Sequence, residues 1–280
     1  MYCDLHTHST ASDGTYTPSE LVDAAVRAGL SAVALCDHNT TAGLAEFCEA
    51  ARTKGLWAIP GVEISTECHE IEWHVLGLFL PDTAWDQVDT YVERMNERKR
   101  QSVRALVDRL KTKGYRVDYD EIASVTPSGN INRAHIATAL CREGYVGSIK
   151  QAFDTLLAPG YGFYVPPRRL DTPETVAFLR NVGAVPVLAH PFLSADERAV
   201  RALLDEVVGC GLVGMETQYS RYTEQTQRAA EAVAREHGLL ESGGSDFHGQ
   251  NKPDVALGTG RGNLRVPLAL AEALSKHSKV

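Results

Sequence analysis

Residues 4–14 read DLHTHSTASDG. His6 and His8 stand two apart in a segment of strand pattern, so their side chains project from one face. The polar turn at 12–14 then sets Asp13 just beyond the strand. A histidine pair alone reads most simply as core or surface, so the weight of the stretch depends on what lies downstream. The apolar run SAVALC (31–36) ends at Asp37 and His38. LWAIPGVEIS (56–65) carries Glu63, WHVLGLFL (73–80) carries His74, and AVPVLAHP (184–191) carries His190. LLESGG (239–244) leads into Asp246 and His248, again two apart. Helical patterns at 19–29, 41–55, 171–183, 196–209 and 223–238 separate most of these runs. Strand–helix–strand spacing implies parallel strands joined by crossover helices. In such barrels the C-terminal strand ends converge on one mouth, so these scattered residues are expected to meet.

The surrounding composition narrows the class. With 280 residues and 44% hydrophobic content, the chain suits one large domain or a barrel with an insertion. A net charge of −8 argues against non-specific binding to duplex nucleic acid or to an anionic membrane. No apolar run reaches the length of a membrane span, and the N-terminus lacks a secretion-signal pattern. The six cysteines form no CxxC pair and read as free thiols, so a reducing cytoplasmic location is expected. From residue 82 the alternation gives way to polar helical sequence, and it resumes near 165. The expected architecture is therefore an α/β barrel of residues 1–81 and 165–280, interrupted by a helical insertion at 82–164.

Six of the ten histidines fall at the strand patterns, together with Asp13, Glu63 and Asp246. Burying so many ionisable groups without cations is very costly, and their convergence points to metal binding. Nine nitrogen and oxygen donors without a thiolate suit Zn²⁺, Mn²⁺ or Fe²⁺ rather than Ca²⁺ or Mg²⁺. Nine donors exceed the needs of one ion and fit two or three that share a bridging carboxylate.

The motifs DLHTHSTASDG, LCDHN, GVEIS, HVLG, LAHP and GGSDFHG, in that order, resemble those of the PHP (polymerase and histidinol phosphatase) superfamily. The resemblance implies a distorted seven-stranded (β/α) TIM-like barrel, the PHP fold, with three divalent transition-metal ions. Carried over position by position, it implies that His6, His8, Glu63 and Asp246 hold the first ion and Asp13, His38 and His248 the second. His74 and His190, with Glu63 bridging, would hold the third. The helical insertion resembles the branch acting on nucleoside 3′,5′-bisphosphates and related small phosphoesters. In that branch an Arg–x–His element contacts the substrate phosphate, here Arg133 and His135 in NINRAHIATAL (130–140). HPFLSADE (190–197) departs from the His-Pro-Gly-Arg-Tyr run common in nucleotide-directed members. Further candidate substrate contacts are Arg168 in VPPRRL and Lys252 and Arg261 in the tail.

The expected chemistry is phosphoester hydrolysis of a small phosphorylated substrate. Hydroxide bridging the first two ions attacks phosphorus, with Asp13, His38 and His248 as the activating ligands and the general acid unassigned. Alternative readings are a cyclic-phosphate phosphodiesterase, an RNA 5′-end nuclease and histidinol phosphatase. Of other classes are metal-dependent amide hydrolysis, whose usual pattern lacks His248, and a non-catalytic metal-binding module.

Overall fold

The computed structural model describes residues 1–124, 131, 133–167 and 169–278. Its strands are β1 (Cys3–Asp4), β2 (Ala32–Leu35), β3 (Trp57–Cys68), β4 (Ile71–Leu78), β5 (Leu170–Asp171), β6 (Val185–Ala189), β7 (Gly214–Tyr219) and β8 (Leu240–Gly244). Seven of them lie side by side in the order β1-β2-β3-β4-β6-β7-β8, and β5 pairs on β3. The two ends of this sheet meet. Leu5 N–H donates to Gly243 O at 3.2 Å, Asp246 N–H to His6 O at 2.8 Å and His8 N–H to Phe247 O at 2.9 Å. The sheet is thus nearly closed into the α/β barrel that the sequence led one to expect. β2 is buried along its whole length, as a parallel strand covered on both faces must be.

The helices are α1 (Pro18–Arg27), α2 (Leu44–Lys54), α3 (Trp85–Thr112), α4 (Tyr119–Ser124), α5 (Arg133–Arg142), α6 (Ile149–Asp154), α7 (Thr172–Asn181), α8 (Pro191–Ser194), α9 (Glu197–Val207), α10 (Glu224–Glu236) and α11 (Leu268–Ser275). Their starts follow from the sequence. Thr17 and Glu20 form a capping box around Pro18, and Asp171, Asp196 and Thr223 cap α7, α9 and α10. α9 buries Val200, Leu203, Leu204 and Val207 at helical spacing, leaving its charges outside. α11 sits at the N-terminal strand ends, where Leu268 N–H donates to Met1 O. Its Ala271 and Leu274 join Cys3, Leu5, Ala34 and Val187 in one core. Apolar packing fills that end and leaves the C-terminal strand ends to polar residues.

One expectation is corrected. The strands are not all parallel, because β4 runs antiparallel to both β3 and β6. Only His69 and Glu70 separate β3 from β4, too short a link for a crossover. Both residues take positive φ, 53° and 62°. Such turns usually advertise themselves with Asn or Gly, which is why the hairpin was not legible. The reversal has a consequence for the site. His74 pairs with Ser65 and Ala189, next to the ligand-bearing ends of β3 and β6.

The chain divides into two compact units, Met1–Val92 with Leu170–Val280, and Glu93–Arg169. The second is helical, with its own core of Val103, Leu106, Leu110, Ile136, Leu140 and Leu157.

Candidate metal centre

Glu63 lies on β3 with no solvent exposure, and both of its oxygens face imidazoles. Oε1 lies 2.8 Å from His74 Nδ1 and 3.1 Å from His190 Nε2. Oε2 lies 3.1 Å from His6 Nε2, 3.2 Å from His8 Nε2 and 3.1 Å from His38 Nδ1. Asp246 Oδ1 is 3.2 Å from His8 Nε2 and 3.4 Å from His248 Nδ1. Asp13 Oδ1 is 3.1 Å from His248 Nε2, and its Oδ2 is 3.9 Å from His38 Nε2. All nine residues singled out in the sequence therefore meet in one cluster. Within it, three tight groups have ligand atoms no more than 4.8 Å apart, His6–His8–Glu63–Asp246, His8–Asp13–His38–His248 and His38–Glu63–His74.

The donor set fits cations better than it fits itself. His6 Nε2, both nitrogens of His8, His38 Nδ1 and Glu63 Oε2 are buried, yet they lack a hydrogen bond of proper geometry. Unsatisfied buried polar atoms are costly. Here they point at one another, as ligands of shared ions do. Burial alone would raise the Glu63 carboxyl, but the charges of His6, His74 and His38 draw it well below the usual range. Burial pushes His38 down to about 4, with Glu63 opposing and His8 adding. Against burial, Glu63 and the neighbouring carboxylates raise His6, His8 and His74, and bound cations would take the place of those protons. Burial would also raise Asp13, but His248, His38 and His8 bring it down to about 2.

Residues that sequence reasoning passed over hold these ligands in place. Glu216, fully buried on β7, accepts from His6 Nδ1 at 3.0 Å and from the His190 N–H at 2.7 Å. It thereby turns His6 Nε2 toward the cluster. Tyr219 O–H donates to Asp246 Oδ2 at 2.8 Å, leaving Oδ1 for the cluster. Two buried aspartates shape the loops. Asp37 accepts from Ser9 N–H, Ser9 Oγ and Ser12 Oγ. Asp4 accepts from Ser245 N–H, Ser245 Oγ and Gly258 N–H. The available signal was an acid inside or ending an apolar strand pattern, as in GLVGMET and LCDHN. Gly244 has a steric reason to be glycine, since a Cβ there would lie 2.3 Å from His6 Cβ. His190 and Asp246 take φ of 30° and 58°, so two of the clustered residues carry left-handed backbone strain.

Comparison with known proteins agrees with this geometry. The PHP domain pattern matches residues 4–164. The chain belongs to the PHP family. A PHP relative from Escherichia coli (strain K12), a 5′-3′ exoribonuclease, is 36% identical over 91% of this chain and 87% of its own. A 3′,5′-nucleoside bisphosphate phosphatase from Chromobacterium violaceum is 29% identical over 90% of each chain. A crystal structure from Bifidobacterium adolescentis, classed as a metal-dependent phosphoesterase, superposes with a TM-score of 0.73 at 26% identity. It covers 99% of this chain and 96% of that one. The present PHP chain is accordingly a metal-dependent phosphoester hydrolase.

The expected substrate contacts of this PHP chain fall in different places. Lys252 Nζ lies 2.6 Å from Asp246 Oδ2, so it borders the cluster. Arg261 pairs with Asp254 in the tail. Arg133 belongs to the helical unit, where its guanidinium lies 4.2 Å from the Tyr164 ring centroid and Nη1 donates to Leu157 O. His135 is half-buried in the first turn of α5. Arg168 lies outside the described residues. No described helix is long and apolar enough to cross a membrane.

Proposed function

We propose that the cluster holds three divalent transition-metal ions (Mn²⁺, Zn²⁺ or Fe²⁺). We further propose that the chain hydrolyses a phosphoester of a nucleotide bearing phosphate at both its 3′ and 5′ positions. A free nucleoside 3′,5′-bisphosphate and the 5′-phosphorylated end of an RNA present this same group. The names of the two relatives support the class, one a bisphosphate phosphatase and one an exoribonuclease. His6, His8, Glu63 and Asp246 would hold one ion, Asp13, His38 and His248 a second, and His74, His190 and Glu63 the third. Ions bound there supply a nucleophilic water near neutral pH and neutralise charge on the phosphoryl oxygens. Glu216 fixes the His6 tautomer and Tyr219 holds Asp246 by one oxygen. Lys252 spends one of its three N–H donors on Asp246 and has others for a substrate phosphate.

The observation that carries this reading is the set of four buried, unpartnered imidazole nitrogens gathered with Glu63 Oε2. Elemental analysis of the purified protein should find close to three equivalents of transition metal. The Mn²⁺-loaded protein should then release phosphate from a 3′,5′-bisphosphate, or mononucleotide from 5′-phosphorylated RNA, well above sugar cyclic phosphates and histidinol phosphate. A folded protein free of metal, or a loaded one inert to every phosphoester, overturns it. A small cyclic phosphate is the second reading, favoured by the absence of any cation in α8 directly after His190.

A further inference from the structure

The tip of the β3–β4 hairpin carries a second set of donor atoms. We propose that Cys68, His69 and Glu206 form a separate site for a thiophilic divalent cation such as Zn²⁺, which fastens the hairpin to α9. Cys68 ends β3, five residues past Glu63, about 16 Å along the strand at ~3.3 Å per residue. The site is therefore distinct from the centre above and independent of how that centre is loaded.

The Glu206 carboxylate reaches both partners. One oxygen lies 2.5 Å from His69 Nε2 and the other 3.7 Å from Cys68 Sγ. One donor atom from each residue lies within 4.8 Å of the others. Ligands around a tetrahedral Zn²⁺ sit roughly 3.3–3.8 Å apart, given Zn–N near 2.0 Å and Zn–S near 2.3 Å. His69 and Glu206 need to spread by about 1 Å to reach that spacing, and both side chains are exposed and able to do so. The thiol is held on the inner side, since Cys68 is only 8% exposed. A fourth coordination position would face solvent. Sulfur, imidazole nitrogen and one carboxylate form a borderline-soft set, which selects Zn²⁺ over Ca²⁺ or Mg²⁺.

The local field is a second, independent observation. Glu206 stands in the last turn of α9, at the negative end of the helix dipole, and that turn has no basic residue. Burial first, then Glu206 and Asp171, push the Cys68 thiol up to about 11. In the metal-free protein the His69 ring and the Cys68 thiol meet the Glu206 carboxylate, and a dication would take the place of the thiol proton between them. On binding, the S–H bond breaks, sulfur bonds to the metal and the proton leaves to solvent. The Trp73 indole N–H donates to Cys68 O at 3.2 Å, which steadies the thiol's backbone and places a fluorophore beside it.

The test uses the full chain with its catalytic metals in place, titrated with Co²⁺ and, separately, with Zn²⁺. None of the nine clustered residues at the centre is a thiolate, so a sulfur-to-cobalt charge-transfer band does not come from the centre, and its loss in Cys68→Ser rather than in Cys210→Ser assigns it to Cys68. Wild type should develop that band with one equivalent of added Co²⁺, quench Trp73 in parallel, and gain several degrees in Tm with Zn²⁺. Cys68→Ser should lose the band and the Zn²⁺-dependent gain, and His69→Ala should bind at least tenfold more weakly. Both variants should keep wild-type hydrolysis and the wild-type Tm without added metal. Absence of the band in wild type, or a band undiminished in Cys68→Ser, overturns the proposal.

Discussion

The barrel unit and the helical unit treat charge in opposite ways. Between Glu93 and Arg169 there are fourteen Lys and Arg against eight Asp and Glu, a net of +6. The rest of the chain has fourteen against twenty-eight, a net of −14. In the helical unit surface ion pairs, such as Lys111 with Asp118 and Arg142 with Glu121, sit within that basic excess. In the barrel the decisive charges are buried. Among the described residues, every buried side-chain nitrogen or oxygen without a hydrogen-bond partner lies in the barrel unit, and all but Ser242 Oγ belong to the histidine cluster. The contrast teaches where the missing partners belong. A unit that keeps its charges at the surface needs only packing, whereas a unit that buries unsatisfied donors is built around ions. It also shows what an average conceals, since the overall −8 hides a basic region whose sign suits phosphate.

The contrast can be broken most severely at the cluster. Asp13→Asn and His248→Ala should each lower kcat/KM by on the order of 10³-fold with little change in the circular-dichroism spectrum. Near-wild-type turnover in both would mean that the buried donors are not catalytic. Stripping metal from wild type with a chelator should reproduce the loss and also lower Tm, because ions that bind only the folded state stabilise it. In the helical unit the same logic predicts a purely structural response. Leu106→Ala removes a fully buried core side chain and should cost that unit about 3 kcal/mol in denaturant unfolding. Metal content should not change.

Two smaller effects sharpen the comparison. Glu216→Gln keeps the shape but weakens the acceptor for His6. It should reduce metal affinity by roughly 10–100-fold, measured by chelator competition, with activity recovering at high metal. A loss of kcat that excess metal does not restore would give Glu216 a different role. Arg133→Leu removes the stacking on Tyr164 and should cost about 1 kcal/mol of helical-unit stability. If KM rises severalfold while stability holds, Arg133 serves substrate rather than packing.

How legible all this was varies with the range of the interaction. Helix starts at Thr17, Asp171, Asp196 and Thr223 follow from local capping chemistry. The clustered residues stood out because histidines and acids repeatedly ended apolar strand patterns. The direction of β4 did not, because His69–Glu70 carries none of the usual signs of a two-residue turn. The positioning roles of Glu216, Tyr219, Asp4 and Asp37 went unread as well. Each acts by a hydrogen bond to a residue distant in sequence, except where Asp4 also meets the His6 N–H.

By itself the sequence determined the kinds of donor, their strand-end positions, and the alternation that closes strands and helices into a barrel. Periodicity, capping and the cost of buried charge are properties of residues and their near neighbours. Only the tertiary structure decided which oxygen of Glu63 faces which imidazole, that β4 turns back to bring His74 to the mouth, and that Glu216 aims His6. Those outcomes depend on strand register and closure, where a shift of one residue along β3 or β4 would turn Glu63 or His74 to the opposite face.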